Sequence, residues 1–204
     1  MIFYSQQNED KLLYEKYLNY KNGFFIEVGA MNGISYSNTK FFEDELNWTG
    51  ILIEPTNQFD QLIQNRPKCH NYNFAISKTD GEISFIGVGA LSGAIDSMAS
   101  SYIDIWKINS KNSYKVKSIP LHKITNELFI EKIDLLSIDV EGGELEVLNT
   151  IDWEIPIFII LIELDGHNKE KDEECRKILI INGFEFDTRI GLNDIWINRD
   201  FLGK

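Results

Sequence analysis

The sequence predicts a doubly wound α/β fold, with a mostly parallel sheet covered by helices on both faces. Short apolar runs alternate with amphipathic stretches, the rhythm of strand–helix units. The runs are nearly continuous in Ile, Leu, Val and Phe rather than alternating with polar residues, so both faces of the sheet are expected to be buried. The 204 residues carry no internal repeat, linker or low-complexity tract, so a single domain spanning 1–204 is expected.

Phe24 to Val28 is the first strand, ending at Gly29, and Phe41, Phe42 and Leu46 recur after it at helical spacing. Ile51 to Glu54 is the second, followed by Phe59, Leu62 and Ile63 on one helix face with Thr56 or Asn57 as cap. Tyr72 to Ile76 reads as a third strand and Ile133 to Asp139 as a fourth, after which Leu145 and Leu148 begin a helix. Ile155 to Leu164 is a fifth. A charged helix from about Asn168 is closed by Asn182-Gly183, and its acids Glu170, Asp172, Glu173 and Glu174 read as a solvated face. Phe184 to Phe186 and Ile195 to Ile197 predict a terminal antiparallel hairpin. The rhythm breaks between Gly81 and Ile119. A strand at Glu82 to Ile86 precedes a Gly/Ser-rich insertion at about 87–113, the composition of a substrate lid.

Composition removes several function classes. With 32 acidic against 20 basic residues, the formal net charge is −12, so nucleic acid or an anionic membrane would bind against the mean field. Lys111, Lys115, Lys117 and Lys123 make the only basic cluster. The longest apolar run, Ile155 to Ile162, has eight residues and contains Pro156, far below the roughly twenty of a membrane-spanning helix. Met1 to Lys11 lacks the apolar stretch of a signal peptide. Cys69 and Cys175 lie far apart without Cys-x-x-Cys spacing, which disfavours a zinc site or a disulfide framework. Together these features predict a cytoplasmic protein with both thiols in the core.

Ligands of doubly wound sheets bind at the carboxyl ends of the strands, and three apolar runs end there in acids. In the first, Glu27 precedes a small-residue turn, Gly29-Ala30-Met31-Asn32-Gly33. The turn lacks the middle glycine of a dinucleotide fingerprint, and its acid would repel a pyrophosphate but suit an amino group or sulfonium. In the second, Glu54 closes a strand before Pro55, where an acid can accept both hydroxyls of a ribose; Pro55 and Phe59 could flank a purine. In the third, Asp139-Val140-Glu141-Gly142-Gly143-Glu144 brings two carboxylates close together, which raises both pKa values and suits a general base. Glu144 reads as charging the first turn of the next helix.

The order of these segments resembles the FkbM family of S-adenosylmethionine-dependent methyltransferases. The resemblance starts at Ser5-Gln6-Gln7-Asn8-Glu9-Asp10 and runs through Gly23 to Gly33 with Ser37-Asn38-Thr39. It continues through Trp48 to Pro55, Asn73 to Ser77, and Asp139 to Leu148. It implies a seven-stranded methyltransferase sheet with an antiparallel final strand, and S-adenosylmethionine as cofactor. Glu27, Gly29 and Asn32 would then face its methionine half, Glu54 would take the ribose, Ala75, Ile76 and Ser77 would lie against the adenine, and Asp139 and Glu141 would stand near the methyl group. Gln6, Ala30, Gly33 and Pro55 complete the expected cofactor contacts. The family commonly has Asp where Glu27 stands and often His where Gly143 stands.

The implied reaction is methyl transfer to a hydroxyl of a carbohydrate or other small molecule, assisted by a base. Asp139, supported by Glu141, is the first candidate base and His167 the second; His122 and His70 read as structural. Ser92, Tyr102, Trp106 and His167 are the candidate acceptor contacts. Asp139, Glu163, Asp165 and His167 form an oxygen-rich set that a divalent metal could use, but no metal is predicted. A nicotinamide oxidoreductase or a non-catalytic nucleotide-binding scaffold of the same fold are the alternative readings.

Overall fold

The computed structural model describes residues 1–109 and 111–203. Ser110, inside the expected insertion, and Lys204 lie outside the described residues. Strands β1 (Phe24–Val28), β2 (Thr49–Ile53), β3 (His70–Tyr72), β8 (Ile133–Ile138), β9 (Ile157–Glu163), β10 (Glu185–Ile190) and β11 (Asn193–Ile197) form one sheet. Its order is β10-β11-β9-β8-β1-β2-β3. Pairing is parallel from β3 through β9, whereas β11 runs antiparallel to both β9 and β10. The hairpin at the end of the chain thus slots its second strand between β9 and its first.

Strand alternation sorts the apolar runs onto two faces. Ile26, Val28, Ile53, Leu136, Ile138 and Ile160 share one cluster, covered by α5 (Leu121–Glu127), α6 (Glu144–Leu148) and α7 (Lys169–Ile181) through Leu121, Val147 and Leu179. Phe25, Leu52, Leu135, Ile159 and Leu161 share the other. It is covered by α1 (Glu9–Lys16), α2 (Lys40–Leu46) and α3 (Phe59–Asn65) through Leu13, Phe41, Phe42 and Leu62. Burying each such side chain contributes about 1.5–3 kcal/mol, so a one-residue slip in any central strand would be heavily penalised. Among the described residues, no helix is long and apolar enough to cross a membrane.

Three expectations change. The single run Tyr72 to Ile76 is two strands in two sheets, because Asn73 Nδ2 donates to the Glu54 carbonyl (2.8 Å) and turns the chain. The second, β4 (Ala75–Ile76), belongs to a small sheet with β5 (Gly81–Ile86), β6 (Gly93–Ala94) and β7 (Tyr114–Ile119), in the order β4-β7-β5-β6. The Gly/Ser-rich stretch is therefore folded. It holds β6 and α4 (Ser100–Ile105), and Ile86, Met98 and Tyr102 form a core of its own. In β7, Val116 and Ser118 face inward and Lys115 and Lys117 outward, so two lysines of the basic cluster are the wet face of a strand. On α7, Asp172 is not solvated: it is buried and accepts from Gly166 N at 3.0 Å.

Candidate active site

The carboxyl ends of β1, β2, β8 and β9 open into a cavity of about 750 Å³, roofed by the small sheet and α4, within the usual size range of ligand sites. Among the described residues its lining holds seven carboxylates, Glu54, Asp139, Glu141 and Glu163 included, and no lysine or arginine.

Glu54 leaves β2 buried, with Oε2 accepting from Met31 N and Oε1 from Thr56 N, both at 2.8 Å. Those two amides fix the carboxylate rigidly while leaving a free lone-pair direction on each oxygen. Pro55, Phe74, Ala75, Ile76 and Ser77 continue the lining beside it. Phe74 supplies the aromatic surface here; Phe59 packs in the core instead.

The turn after β1 is arranged differently from the expectation. Gly29 and Met31 line the cavity, but Glu27, Ala30, Asn32 and Gly33 do not. The Glu27 carboxylate is buried beneath the turn, where it accepts from Ser37 Oγ (2.9 Å), Asn38 N (2.7 Å) and Thr39 Oγ1 (2.6 Å), with Arg66 Nη1 at 3.9 Å. Burial pushes its pKa up, against the Arg66 charge and these three donors. The fully buried Arg66 also pairs with Glu43 and donates to Gly33 O. Glu27 thus belongs to an internal polar network, and its acids and hydroxyls are already satisfied. Asn32 is spent on the turn, its Oδ1 accepting from Ile34 N and Ser35 N. Ala30 packs in the core, and Gly33 fits against Leu62 and Arg66. Gly29 is also required by the backbone: at φ +92° its Cβ would stand 1.8 Å from the Asp139 carbonyl oxygen.

At the end of β8, Asp139 and Glu141 enter the cavity together with Glu163 from β9, with oxygens of the three within 4.8 Å of one another. Burial first, then the charges of neighbouring carboxylates, Glu144 among them in each case, pushes all three pKa values up. Glu141 reaches about 8, raised by burial and the Asp139 charge against the Tyr102 hydroxyl beside it. Asp139 and Glu163 titrate as a pair, with the proton preferring Glu163. Glu141 also holds a left-handed backbone conformation, φ 52°, of the kind that costs about 1–3 kcal/mol and clusters at functional sites. Behind it, Lys171 Nζ donates to Glu144 Oε2 (2.8 Å) and Gly142 O (2.7 Å), while Glu144 Oε1 accepts from Gly142 N. Glu144 is therefore a buried brace of the turn as well as a helix-start acid.

The expected acceptor contacts Ser92, Tyr102, Trp106 and His167 all line the cavity, as does Gln6. His167 Nδ1 lies 3.1 Å from Ser101 Oγ, and its ring stands edge-on to Tyr102 at 5.5 Å. Asp165 Oδ1 accepts from His167 N; the acids whose oxygens converge are Asp139, Glu141 and Glu163, so of the oxygen-rich set considered from sequence Asp139 and Glu163 are in the cluster and Asp165 and His167 are not. His122 is held by the Thr150 carbonyl, and His70 lies in β3. Asn193, which opens β11, was missed from sequence; a polar Asn-Asp pair heading an otherwise apolar strand was the available signal.

An antiparallel strand set into a parallel sheet, with acids at the strand ends and no phosphate cradle, defines a Rossmann-like methyltransferase fold. The chain belongs to the methyltransferase FkbM domain family, whose model matches residues 27–186. The structure is similar to the crystal structure of methyltransferase FkbM from Methylobacillus flagellatus KT, with TM-score 0.52 and 13% identity over 95% of this chain and 48% of that one. The chain thus spans about half the length of that protein. It is also similar to Aeropyrum pernix fibrillarin in complex with natively bound S-adenosyl-L-methionine, with TM-score 0.51 and 13% identity over 95% of this chain and 73% of that one. At such identity both likenesses speak to the fold alone. No curated protein matches the chain.

Proposed function

We propose that this chain is an S-adenosylmethionine-dependent O-methyltransferase acting on a hydroxyl of a carbohydrate or other small molecule. The carrying observation is the cavity lining, which among the described residues holds seven carboxylates without a lysine or arginine. Such a lining favours a cationic sulfonium nucleoside and repels the pyrophosphate of a nicotinamide dinucleotide. The likeness to a fibrillarin that holds S-adenosyl-L-methionine agrees with this choice of cofactor.

The residues present fit that cofactor. Glu54, with both oxygens pinned by backbone amides and a lone pair free on each, suits a pair of ribose hydroxyls. Phe74, Ala75, Ile76 and Ser77 offer an apolar slot with one hydroxyl for a purine. Gln6, Gln7 and Gly29 line the stretch left for the amino-acid half. When bound, S-adenosylmethionine supplies an activated methyl group on its sulfonium. The chain's own part is to hold the acceptor in line and take up its proton. The carboxylates at the ends of β8 and β9, Asp139 foremost, are the acceptors for that proton. Tyr102 and Trp106 on the roof provide aromatic faces against which a sugar ring can stack.

Calorimetry with S-adenosylmethionine, S-adenosylhomocysteine and NAD tests the cofactor. The two sulfur nucleosides should bind and NAD should not; binding of NAD alone overturns the reading. A screen of hydroxylated acceptors against methyl-labelled cofactor then reads the reaction itself.

A further inference from the structure

Among the described residues, the acids at the ends of β8 and β9 have no cationic partner. Lys171, on the neighbouring helix, is committed to Glu144 and the Gly142 carbonyl, and Arg66 to Glu43 and Glu27. A trio of acids is by itself an ordinary feature, but a second observation points the same way. Asn193 is only 8% exposed, and its Oδ1 has no hydrogen-bond partner. Its Nδ2 donates to Glu9 Oε1 at 2.9 Å. Since only the amide nitrogen can serve a carboxylate, this bond turns Oδ1 away from Glu9. Asn193 is the register partner of Glu163 across the β9–β11 pair, which puts both side chains on one face of the sheet, and both line the cavity. The Tyr102 hydroxyl and a proton shared between Asp139 and Glu163 answer the acids only in part: among the described residues no lysine or arginine neutralises them, and no donor reaches the Asn193 amide oxygen.

We propose that Asp139, Glu141 and Glu163, completed by the Asn193 amide oxygen, form a binding site for a hard divalent cation. The donor set suits Ca²⁺, which accepts six to eight oxygens in flexible geometry at about 2.3–2.6 Å, better than Mg²⁺, which demands near-ideal octahedral geometry and keeps several of its own waters. Oxygens within 4.8 Å of one another lie inside the span of a Ca²⁺ shell. Four protein oxygens leave coordination positions open toward the cavity. The ion's use in catalysis rests on the methyl-transfer reading: it would gather an acceptor presenting neighbouring oxygens and make its hydroxyl more acidic, so that a carboxylate is a sufficient base. Ion binding itself does not rest on it.

The test is calorimetry of the full chain, stripped by a chelator and free of cofactor, titrated with CaCl₂ and with MgCl₂. One Ca²⁺ per chain should bind with a Kd below about 1 mM, and Mg²⁺ more weakly. Glu163→Gln should weaken Ca²⁺ at least tenfold and Asn193→Ala several-fold, while Glu173→Gln, an exposed acid on α7, should leave it unchanged. No stoichiometric binding by the wild type, or wild-type affinity in both cavity variants, overturns the proposal. Should Glu163→Gln fail to fold, Tb³⁺ luminescence in the wild type, excited through Tyr102 beside Glu141, decides. Emission displaced by Ca²⁺ supports the site, and its absence overturns it. Titration of the chelated chain with S-adenosylmethionine is read separately. Cofactor binding without ion binding removes only the cation site; ion binding without cofactor binding removes only the proposed function.

Discussion

Glu27 and Glu54 end neighbouring strands with the same side chain and do opposite work. Glu27 has every oxygen answered by Ser37, Asn38, Thr39 and the Arg66 charge, below the cavity. Glu54 is answered by two amides only and faces the ligand space. Sequence position alone could not separate them, because the donors that satisfy Glu27 come from a loop and from Arg66, at the end of α3. Glu54 and Asp139, by contrast, were legible because the residue that follows a strand must emerge at the sheet edge, and Tyr102 and Trp106 because they are aromatics in a Gly/Ser-rich insertion beside that edge. Glu54→Ala should weaken S-adenosylmethionine binding by about 1–3 kcal/mol, the scale of a lost charge-assisted hydrogen bond. Calorimetry on the variant checks this, and an unchanged affinity would remove Glu54 from the ribose.

At the scale of elements, the apolar strands of the main sheet were readable because each is buried on both faces. The parts that escaped are those where tertiary contacts outweigh local pattern: the break at Asn73, the amphipathic β7, and the folded insertion. That insertion is seated on the turn after β8. A Cβ on Gly142 (φ +106°) would lie 2.9 Å from the Ser97 carbonyl oxygen and 3.0 Å from Met98 Cα, both backbone atoms that cannot swing aside. Gly142→Ala should therefore cost about 1–3 kcal/mol from backbone strain and overpacking together. Gly166→Ala, at a similar positive φ but with nothing within 4 Å, should cost only about 1 kcal/mol. Urea denaturation of the two variants compares them, and equal losses would mean that the insertion is not tightly seated.

For the molecule as a whole, the opening surplus of acids divides by location. Many of the 32 carboxylates are solvated, but seven converge on a cavity to which no lysine or arginine among the described residues contributes. Net charge argued only against polyanionic partners; the fold concentrates that charge where a cationic cofactor and a divalent ion can use it.

The Asn193–Glu9 hydrogen bond joins residues 184 positions apart and stands at the edge of the cavity. Contacts of such separation carry the largest loop-closure cost and form late in folding. Binding competence should accordingly lag behind secondary structure when the chain refolds from urea. Stopped-flow circular dichroism followed against capture of S-adenosylmethionine would show two phases, and a single shared rate would refute this. Until β11 has inserted between β9 and β10, a nascent chain holds most of its sheet and none of its clasp, which makes ligand capture a report that the polypeptide has finished folding.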